Sequence, residues 1–320
     1  MVMGISIVKY KKNGNTLWGI LSGEKISQLV LQPPNLMAII EAPQTYLIDK
    51  NLEKETFDFQ QVEILAPVSG PLRVLCQGVN YASHRKESGL SSQSSGNVLF
   101  TKDSSSITGA FSPVIRPKDC QCLDYEVELG LIIRKDITQP VKITEANLHE
   151  YIAGLVLAND FSARDLQYKD DYAQWYKGKS CRTLLPLGPV FYLLDKEEFN
   201  YLNNLTIQLW VNDQLRQEAN TSQLIFKPAE TLTEISEFQD LSAGDLLLTG
   251  TPGGVVIKAP GKFLQGIATW LLSNEKKVNV LRKKKADYLQ DNDIVKTKIY
   301  SADGKIDLRT QLNKIISYGF

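Results

Sequence analysis

The sequence has few of the residues that bind soft metal ions or form cross-links. Its 320 residues include only 2 histidines and 4 cysteines. No two cysteines form a CxxC pair, and Cys120 and Cys122 are too isolated to build a four-ligand zinc site. We therefore expect free buried thiols in a cytoplasmic protein, without disulfides. Any metal ion would be held mainly by oxygen, and imidazole catalysis has two candidates, His84 and His149.

The chain also lacks an excess of charge of either sign and lacks long apolar runs. Lys and Arg together number 36, as do Asp and Glu, so the formal net charge is +0. This balance gives no electrostatic basis for binding nucleic acid or an anionic membrane. No apolar run approaches the length that spans a bilayer. Residues 1–10 predict a first strand and not a signal peptide.

Alternating polar and apolar residues predict a β-rich protein. Residues 1–67 predict a small leading β domain, and residues 68–320 the main domain. Strands of the main domain are predicted at 72–76, 98–100, 126–133, 154–159, 190–194, 205–211, 246–248 and 294–299. The helical candidates are 82–87 and 229–238, and Asn212-Asp213 indicates a hairpin turn. Because strands outnumber helices without regular βαβ alternation, we expect a mixed α/β, β-rich fold.

Two glutamates alternate on the predicted strand at 126–133. Side chains two apart on a strand point the same way, so Glu126 and Glu128 share one face. Like charges this close raise each other's pKa unless a cation neutralises them. Paired carboxylate oxygens suit a hard ion such as Mg²⁺, Mn²⁺ or Ca²⁺. The alternative is an ordinary solvated strand face that carries two glutamates.

A third carboxylate, Asp160, follows the apolar run at 154–159. Strand ends are places where a scaffold presents reactive groups. Beside Glu126 and Glu128, Asp160 would complete a set of three protein ligands and leave positions for water and substrate. In the alternative interpretation, Asp160 caps the turn that follows it.

Three further patterns are weaker on their own. His84 and Glu87 would share one side of a helical turn, as a general base and its orienting carboxylate or as an ordinary surface pair. Gly178-Lys179-Ser180 resembles the end of a phosphate loop, but Ala173 stands where the first glycine is required, which excludes a nucleotide site. Residues 249–254 predict a turn-rich loop that either approaches a ligand or is purely structural.

The order of several sequence blocks resembles the fumarylacetoacetate hydrolase family. The blocks are CQGVNYASH at 76–84, LFTK at 99–102, DYEVEL at 124–129, NDFSARDLQ at 159–167, GKS at 178–180, PLGP at 186–189, VN at 211–212, RQE at 216–218 with TS at 221–222, and LTGTP at 248–252. The resemblance covers residues 68–255 densely and resumes weakly at 288–315. Many blocks in family order are a more specific signal than any single motif.

The resemblance implies a role for each matching residue. The metal ligands would be Glu126, Glu128 and Asp160, for Mg²⁺ or Mn²⁺ and in some members Ca²⁺. The catalytic residues would be His84, Glu87 and Lys179, with the His–Glu pair activating water. The substrate site would be lined by Tyr81, Lys102, Arg164, Gln167 and Thr251.

The resemblance also implies a fold and an activity. The family fold is a β-roll of mixed sheets with few helices, usually a homodimer, and longer bacterial members carry a small leading domain. The implied activity is metal-dependent hydrolysis of a C–C bond in a 2,4-diketo acid of the acylpyruvate, fumarylacetoacetate or fumarylpyruvate type. One alternative is decarboxylation, hydration or isomerisation of a related 2-oxo acid with the same chelate. Another is a non-catalytic binding module with a structural Ca²⁺ site.

Two departures from the family pattern bear on the substrate. Cys181-Arg182 stands where the family often has Phe-Asp, which predicts an altered pocket wall. Residues 256–286 form a longer, Lys-rich insertion that predicts a changed shape on that side of the site. Its basic cluster at 282–285 is predicted to be a solvated loop and not a partner site, since the chain around it is neutral.

Overall fold

The computed structural model describes residues 4–88, 96–170, 173–257, 282 and 287–318. The α-helices in these ranges are α1 (Leu36–Glu41), α2 (Pro43–Tyr46), α3 (Ala82–Glu87), α4 (Arg164–Tyr168), α5 (Trp175–Lys179) and α6 (Pro228–Ser236). The strands are β1 (Ile5–Lys12), β2 (Asn15–Ser22), β3 (Lys25–Leu29), β4 (Leu52–Asp58), β5 (Glu63–Leu65), β6 (Val74–Gly78), β7 (Val98–Lys102), β8 (Ile107–Gly109), β9 (Val114–Arg116), β10 (Leu123–Asp124), β11 (Val127–Ile133), β12 (Ile152–Asn159), β13 (Ser162–Ala163), β14 (Leu185–Leu193), β15 (Leu205–Val211), β16 (Gln214–Asn220), β17 (Leu246–Leu248), β18 (Ile294–Ser301) and β19 (Asp307–Ser317).

The strands form one large sheet and two smaller ones. A 12-stranded sheet runs in the order β4-β3-β2-β1-β14-β12-β11-β17-β6-β7, with β5 paired to β1 and β8 to β14. A 5-stranded sheet has the order β16-β15-β18-β19-β9, and β10 pairs with β13. The pairs β6–β17, β8–β14 and β9–β19 are parallel, whereas most others are antiparallel. The predicted β-rich fold of mixed sheets with few helices is thus confirmed.

The middle strands of the large sheet are buried on both faces. Every residue of β11, β12 and β14 is buried, as expected for near-continuous apolar runs. Leu129 and Leu155 pack into one apolar cluster, while Ile132 and Val156 pack into the cluster on the opposite side. Each such side chain contributes about 1.5–3 kcal/mol by its burial. The strands whose ends carry the candidate carboxylates are therefore firmly fixed.

The leading strands continue the main sheet. In antiparallel register with β14, Ile7 of β1 pairs with Phe191. From the far end of the chain, the Arg309 guanidinium donates to the Gly23 carbonyl at 2.6 Å. The division at residue 67 stays a proposal, and it would cut between two strands of one sheet.

The structure confirms two helices and one hairpin turn that the sequence predicts. The predicted helices at 82–87 and 229–238 are found as α3 and α6. Asn212 and Asp213 have φ of 48° and 61°, which fits a tight hairpin turn between β15 and β16. No helix in the described ranges is long and apolar enough to cross a bilayer. The predicted insertion lies outside the described residues except for positions 256, 257 and 282.

Candidate active site

Three carboxylates meet at the ends of β11 and β12. Glu126 precedes β11, Glu128 is its second residue, and Asp160 follows β12. Their candidate ligand atoms lie within 4.8 Å of one another. Glu126 is 5% exposed, Glu128 1% and Asp160 0%, so the alternative of a solvated strand face is wrong. The strand pairing explains the cluster, because the Asp160 N–H donates to the Glu126 carbonyl at 2.8 Å.

Lys179, at the end of α5, bridges two of these carboxylates. Its Nζ donates to Glu126 Oε2 and to Asp160 Oδ2, both at 2.6 Å, and lies 5.3 Å from the centroid of the Phe100 ring. Burial alone would lower the pKa of Lys179, but Asp160 and Glu126 outweigh burial and raise it. Lys179 is therefore a fixed positive charge at neutral pH and not a proton acceptor.

Lys102, at the end of β7, is engaged by three protein acceptors. Its Nζ donates to Asp160 Oδ1, to the Phe161 carbonyl at 3.2 Å and to the Leu184 carbonyl at 3.0 Å. An ammonium group has three N–H donors, so all are used in this arrangement. The structure places Lys102 as a partner of Asp160, and its predicted substrate contact stays a prediction.

Arg164, the first residue of α4, links Glu126 to another buried carboxylate. Its guanidinium donates to Glu126 Oε1, to Asp124 Oδ2 at 3.0 Å and to Gln167 Oε1 at 3.2 Å. Asp124 Oδ1 also accepts from the Val256 N–H at 2.9 Å. In this arrangement Arg164 orients Glu126, while its predicted role in lining the substrate site stays a prediction.

The two glutamates of the cluster have opposite electrostatic environments. Burial would raise the pKa of Glu126, but Lys179 and Arg164 outweigh it and lower that pKa to about 2. The pKa of Glu128 is raised well above its ordinary range by burial and by the charges of Asp160 and Glu126. Without a cation, the ionised form of Glu128 is therefore disfavoured, whereas Glu126 stays ionised.

This donor set fits a hard divalent cation. Glu126, Glu128 and Asp160 offer buried carboxylate oxygens, the ligands that Mg²⁺, Mn²⁺ and Ca²⁺ prefer. Glu128 Oε2 accepts from the Gly250 N–H at 2.8 Å, which helps to orient that carboxylate. A cation would also relieve the repulsion that raises the pKa of Glu128. A buried acidic triad that could bind a divalent metal is present, and the identity of the metal stays a prediction.

His84 lies on α3 with an unpaired ring nitrogen. The residue is buried, and its Nδ1 has no hydrogen-bond partner among the described residues. Burial lowers the pKa of His84, and the charges of Arg164 and Lys179 lower it further, against the opposing effects of Glu126 and Glu87. The imidazole is thus neutral at neutral pH, which is the form that accepts a proton.

The loop at 249–254 contacts α3. Glu87 Oε2 accepts from the Gly254 N–H at 2.9 Å, and Ser83 Oγ accepts from the Gly253 N–H at 3.1 Å. Glu87 raises the pKa of His84 through its charge. Its predicted role with His84 in activating water stays a prediction.

The remaining predicted substrate residues are Tyr81, Gln167 and Thr251. The Tyr81 hydroxyl and Gln167 Nε2 are buried without a hydrogen-bond partner among the described residues, and burial followed by Glu128 raises the pKa of Tyr81. Thr251 Oγ1 donates to the Val127 carbonyl at 3.0 Å. Unpaired buried polar atoms are groups that a ligand can satisfy, so Tyr81 and Gln167 remain candidates for substrate contact.

The two residues that replace the family's Phe-Asp lie just beyond Lys179. Cys181 is half-buried against the core, and its thiol donates to the Lys177 carbonyl at 3.3 Å. Arg182 is exposed. A changed pocket wall at this position stays a prediction. From the basic cluster, Arg282 pairs with the buried Asp165 at 3.4 Å.

Sequence reasoning missed Gln217. This residue of β16 is 1% exposed, and its Oε1 accepts from the Val127 N–H at 3.1 Å. Its neighbours on β16 are mostly exposed, so no periodic signal marks it as part of the site. The only available signal was its place in the block Arg216-Gln217-Glu218, which fits the family pattern.

Comparisons with known proteins find similar sequences and similar folds. The family model described as "Fumarylacetoacetate (FAA) hydrolase C-terminal" matches residues 73–313. A mitochondrial oxaloacetate tautomerase of Bos taurus is 40% identical over 206 residues, which are 64% of this chain and 64% of that protein. A mitochondrial oxaloacetate tautomerase of Xenopus laevis is 37% identical over 205 residues, 64% of this chain and 62% of that protein. The chain therefore spans somewhat less than two thirds of these curated relatives.

Solved structures match over nearly the whole chain. The fumarylacetoacetate hydrolase of Exiguobacterium antarcticum superimposes with a TM-score of 0.73 at 28% identity, covering 98% of this chain and 99% of that one. The 2-hydroxyhepta-2,4-diene-1,7-dioate isomerase of Mycobacterium marinum gives 0.70 at 23% identity, with 100% of both chains covered. The second likeness supports the fold alone.

Proposed function

Because the chain belongs to the fumarylacetoacetate hydrolase family, we propose that it interconverts the keto and enol forms of oxaloacetate or a related 2-oxo acid. The observation that carries the proposal is the buried cluster of Glu126, Glu128 and Asp160 beside a neutral His84, whose Nδ1 has no hydrogen-bond partner in the described part of the chain. The curated relatives named as oxaloacetate tautomerases support this choice of substrate class.

In this proposal, the carboxylates bind the metal ion and the neighbouring cations orient the carboxylates. Glu126, Glu128 and Asp160 would hold a divalent cation, with Mg²⁺ as the expected ion and Mn²⁺ or Ca²⁺ as alternatives. When bound, such an ion supplies Lewis acidity toward the 2-oxo and carboxylate oxygens of the substrate. Lys102 and Arg164 hold Asp160 and Glu126 in place through the buried contacts described above.

Tautomerisation then requires the transfer of a proton between carbon and oxygen. His84 Nδ1 accepts a proton from carbon 3 of the 2-oxo acid, and the C–H electron pair shifts toward the carbonyl oxygen. The Lys179 ammonium, whose raised pKa keeps it protonated, stabilises the negative charge that develops there. The imidazolium then passes this proton, directly or through a water molecule, to the enolate oxygen, which gives the enol and restores neutral His84. In the reverse direction His84 takes the proton from the enol oxygen and delivers it to carbon 3.

Hydrolysis of a C–C bond in a 2,4-diketo acid is the second candidate. The fumarylacetoacetate hydrolase of Exiguobacterium antarcticum, which shares the whole fold at 28% identity, favours it. So does the proximity of the Glu87 charge to His84, since a His–Glu pair can activate water. In that reaction His84 takes a proton from water, the hydroxide attacks the distal carbonyl, and the bond between the two carbonyl-bearing halves breaks to release an enolate.

One panel of substrates separates the two candidates. Oxaloacetate, acylpyruvates and fumarylpyruvate are incubated with and without Mg²⁺, and the enol absorbance and the NMR spectra of the products are recorded. Loss of the enol signal with a single acid in the spectrum supports tautomerisation, whereas two acids from one substrate support hydrolysis. Unchanged turnover in Glu126→Ala would overturn the metal site itself.

Several expectations remain proposals alongside this activity. They are the homodimer, the cytoplasmic location, the separate leading domain at 1–67, and a small-molecule 2-oxo or diketo acid as substrate without a nucleic-acid or membrane partner. A size measurement in solution would test the first of them directly.

A further inference from the structure

Val127 lies between the candidate metal ligands Glu126 and Glu128, at the end of β11 where the pairing with β17 has stopped. On one side of Val127, Glu126 and Glu128 connect to β12. On the other side, β17 ends at Leu248, two residues short of the position opposite Glu128. Among the described residues, no strand therefore lies beside Val127 on that side, and its N–H and carbonyl need other hydrogen-bond partners.

Two side chains supply those partners. Gln217 Oε1 accepts from the Val127 N–H at 3.1 Å, and the Thr251 hydroxyl donates to the Val127 carbonyl at 3.0 Å. The Gln217 amide group also donates to Thr251 Oγ1 and to the Pro252 carbonyl, both at 2.9 Å. Both amide N–H groups and the amide oxygen are thus used, so the orientation of the amide is fixed.

From these contacts we infer that Gln217 is a positioning residue for the metal site. It accepts the Val127 N–H directly and holds the Thr251 hydroxyl that donates to the Val127 carbonyl, and so it fixes the directions in which Glu126 and Glu128 leave the strand. Ligating carboxylates depend on such outer contacts, and losing one typically weakens metal binding about 10–100-fold. The inference rests on the proposed function, because it takes the triad as the site of a divalent cation.

The same amide also connects the metal ligands to the histidine. The loop that Gln217 holds at Thr251 and Pro252 continues to Gly253 and Gly254, whose N–H groups donate to α3. Earlier in the loop, the Gly250 N–H donates to Glu128. Gln217, from the 5-stranded sheet, therefore helps to fix the position of the carboxylate cluster relative to α3, which carries His84.

The test is Mn²⁺ binding to Gln217→Met, measured by electron paramagnetic resonance of free Mn²⁺ together with thermal unfolding. Methionine keeps the size of the side chain and removes all of its hydrogen bonds. The matched control is Gln311→Met in the same sheet. Gln311 is also buried, donates to the Gly188 carbonyl and accepts from the Thr297 hydroxyl, each at 3.3 Å.

We expect both variants to lose some thermal stability, and only Gln217→Met to bind Mn²⁺ about tenfold more weakly than the wild type. Wild-type affinity in Gln217→Met overturns the inference, as does an equal loss in Gln311→Met. A wild-type protein that does not bind Mn²⁺ overturns the proposed function, and this inference with it.

A second pair of variants covers the case in which Gln217→Met does not fold. Thr251→Val removes the hydroxyl that joins Gln217 to the Val127 carbonyl, and it should weaken Mn²⁺ binding. Thr251→Ser keeps the hydroxyl and should bind Mn²⁺ like the wild type. Equal Mn²⁺ affinities in these two variants would overturn the inference.

Discussion

In the charged cluster around Asp160, each cation donates to two or more acceptors; the cations are Lys102, Lys179 and Arg164. The His84 imidazole on α3 differs, because its buried Nδ1 has no hydrogen-bond partner in the described part of the chain. Both regions are buried, and both belong to one candidate site. They differ in how completely their polar groups are satisfied.

The difference teaches which groups hold the site together and which are available for chemistry. Buried charges persist only when they are paired, and removing one partner is costly. An unpaired buried nitrogen has no hydrogen bond to lose, and its burial is itself unfavourable. We therefore expect substitutions in the cluster to act on stability and metal binding, and substitutions at His84 to act on rate.

The largest effect is expected for His84→Asn. Loss of a general base typically costs about 10²–10⁴-fold in rate, while the unfolding temperature should hardly change. Steady-state kcat with oxaloacetate and a thermal melt measure the two quantities. His149→Asn is the control, since His149 packs edge-on against Phe199 away from the cluster. A large drop in melting temperature for His84→Asn would remove the distinction between the two regions.

Next in size is Lys179→Met, which leaves Glu126 and Asp160 without their shared cation. Breaking a buried ion pair from one side costs about 3–5 kcal/mol, to be measured by urea unfolding in EDTA. Lys177→Met on the same helix is the matched control, because the Lys177–Asp170 pair is exposed and exposed pairs contribute about 0–1 kcal/mol. Equal losses in the two variants would contradict the tight pairing of the cluster.

A smaller effect is expected for Glu128→Gln, and only when metal is present. At a Mn²⁺ concentration about 100 times Kd, the wild type should gain about 2.7 kcal/mol, and the variant should lose most of that gain. Without metal the change should be small, because the amide can still accept from the Gly250 N–H and repulsion from Asp160 falls. Thermal melts with Mn²⁺ and with EDTA measure both states.

Glu198→Gln is the control for that experiment. Glu198 is a buried carboxylate that accepts from the Tyr192 hydroxyl at 2.9 Å, outside the cluster. Its variant should keep the full response to Mn²⁺. A full response in Glu128→Gln instead would exclude Glu128 as a ligand.

The smallest effect concerns pH. Burial first, and then Arg164 and Lys179, lower the pKa of His84 from its ordinary value of 6.5. The neutral base is the active form, so kcat/KM should fall only as the pH drops below 6.5. Glu87→Gln removes a charge that raises this pKa, and it should move the acid limb to still lower pH. An acid limb that moves upward would contradict the assigned base.

Elements dominated by local apolar runs could be predicted from the sequence. The strand expected at 126–133 is found as β11 from Val127 to Ile133, since a run of β-branched and aliphatic residues suits only a buried strand there. The three carboxylates were also found, because Glu126 and Glu128 alternate on that strand and Asp160 ends the next one.

Contacts between distant segments could not be predicted in the same way. The three acceptors of Lys102 are Asp160 and the carbonyls of Phe161 and Leu184, and no spacing along the chain reveals them. Gln217 bonds to Val127, 90 positions earlier. The sequence shows which residues are able to form hydrogen bonds, whereas the packing of the two sheets decides with which partner they do so.

The pairing of β1 with β14 has a consequence for the synthesis of the chain. The first strand leaves the ribosome long before Phe191, the residue that pairs with Ile7. Until β14 arrives, one edge of β1 is open over part of its length, and open edges can pair with other chains. Contacts so distant in sequence also slow folding. A nascent chain that pauses before residue 185 should therefore be prone to aggregate, and the finished chain should be much less so.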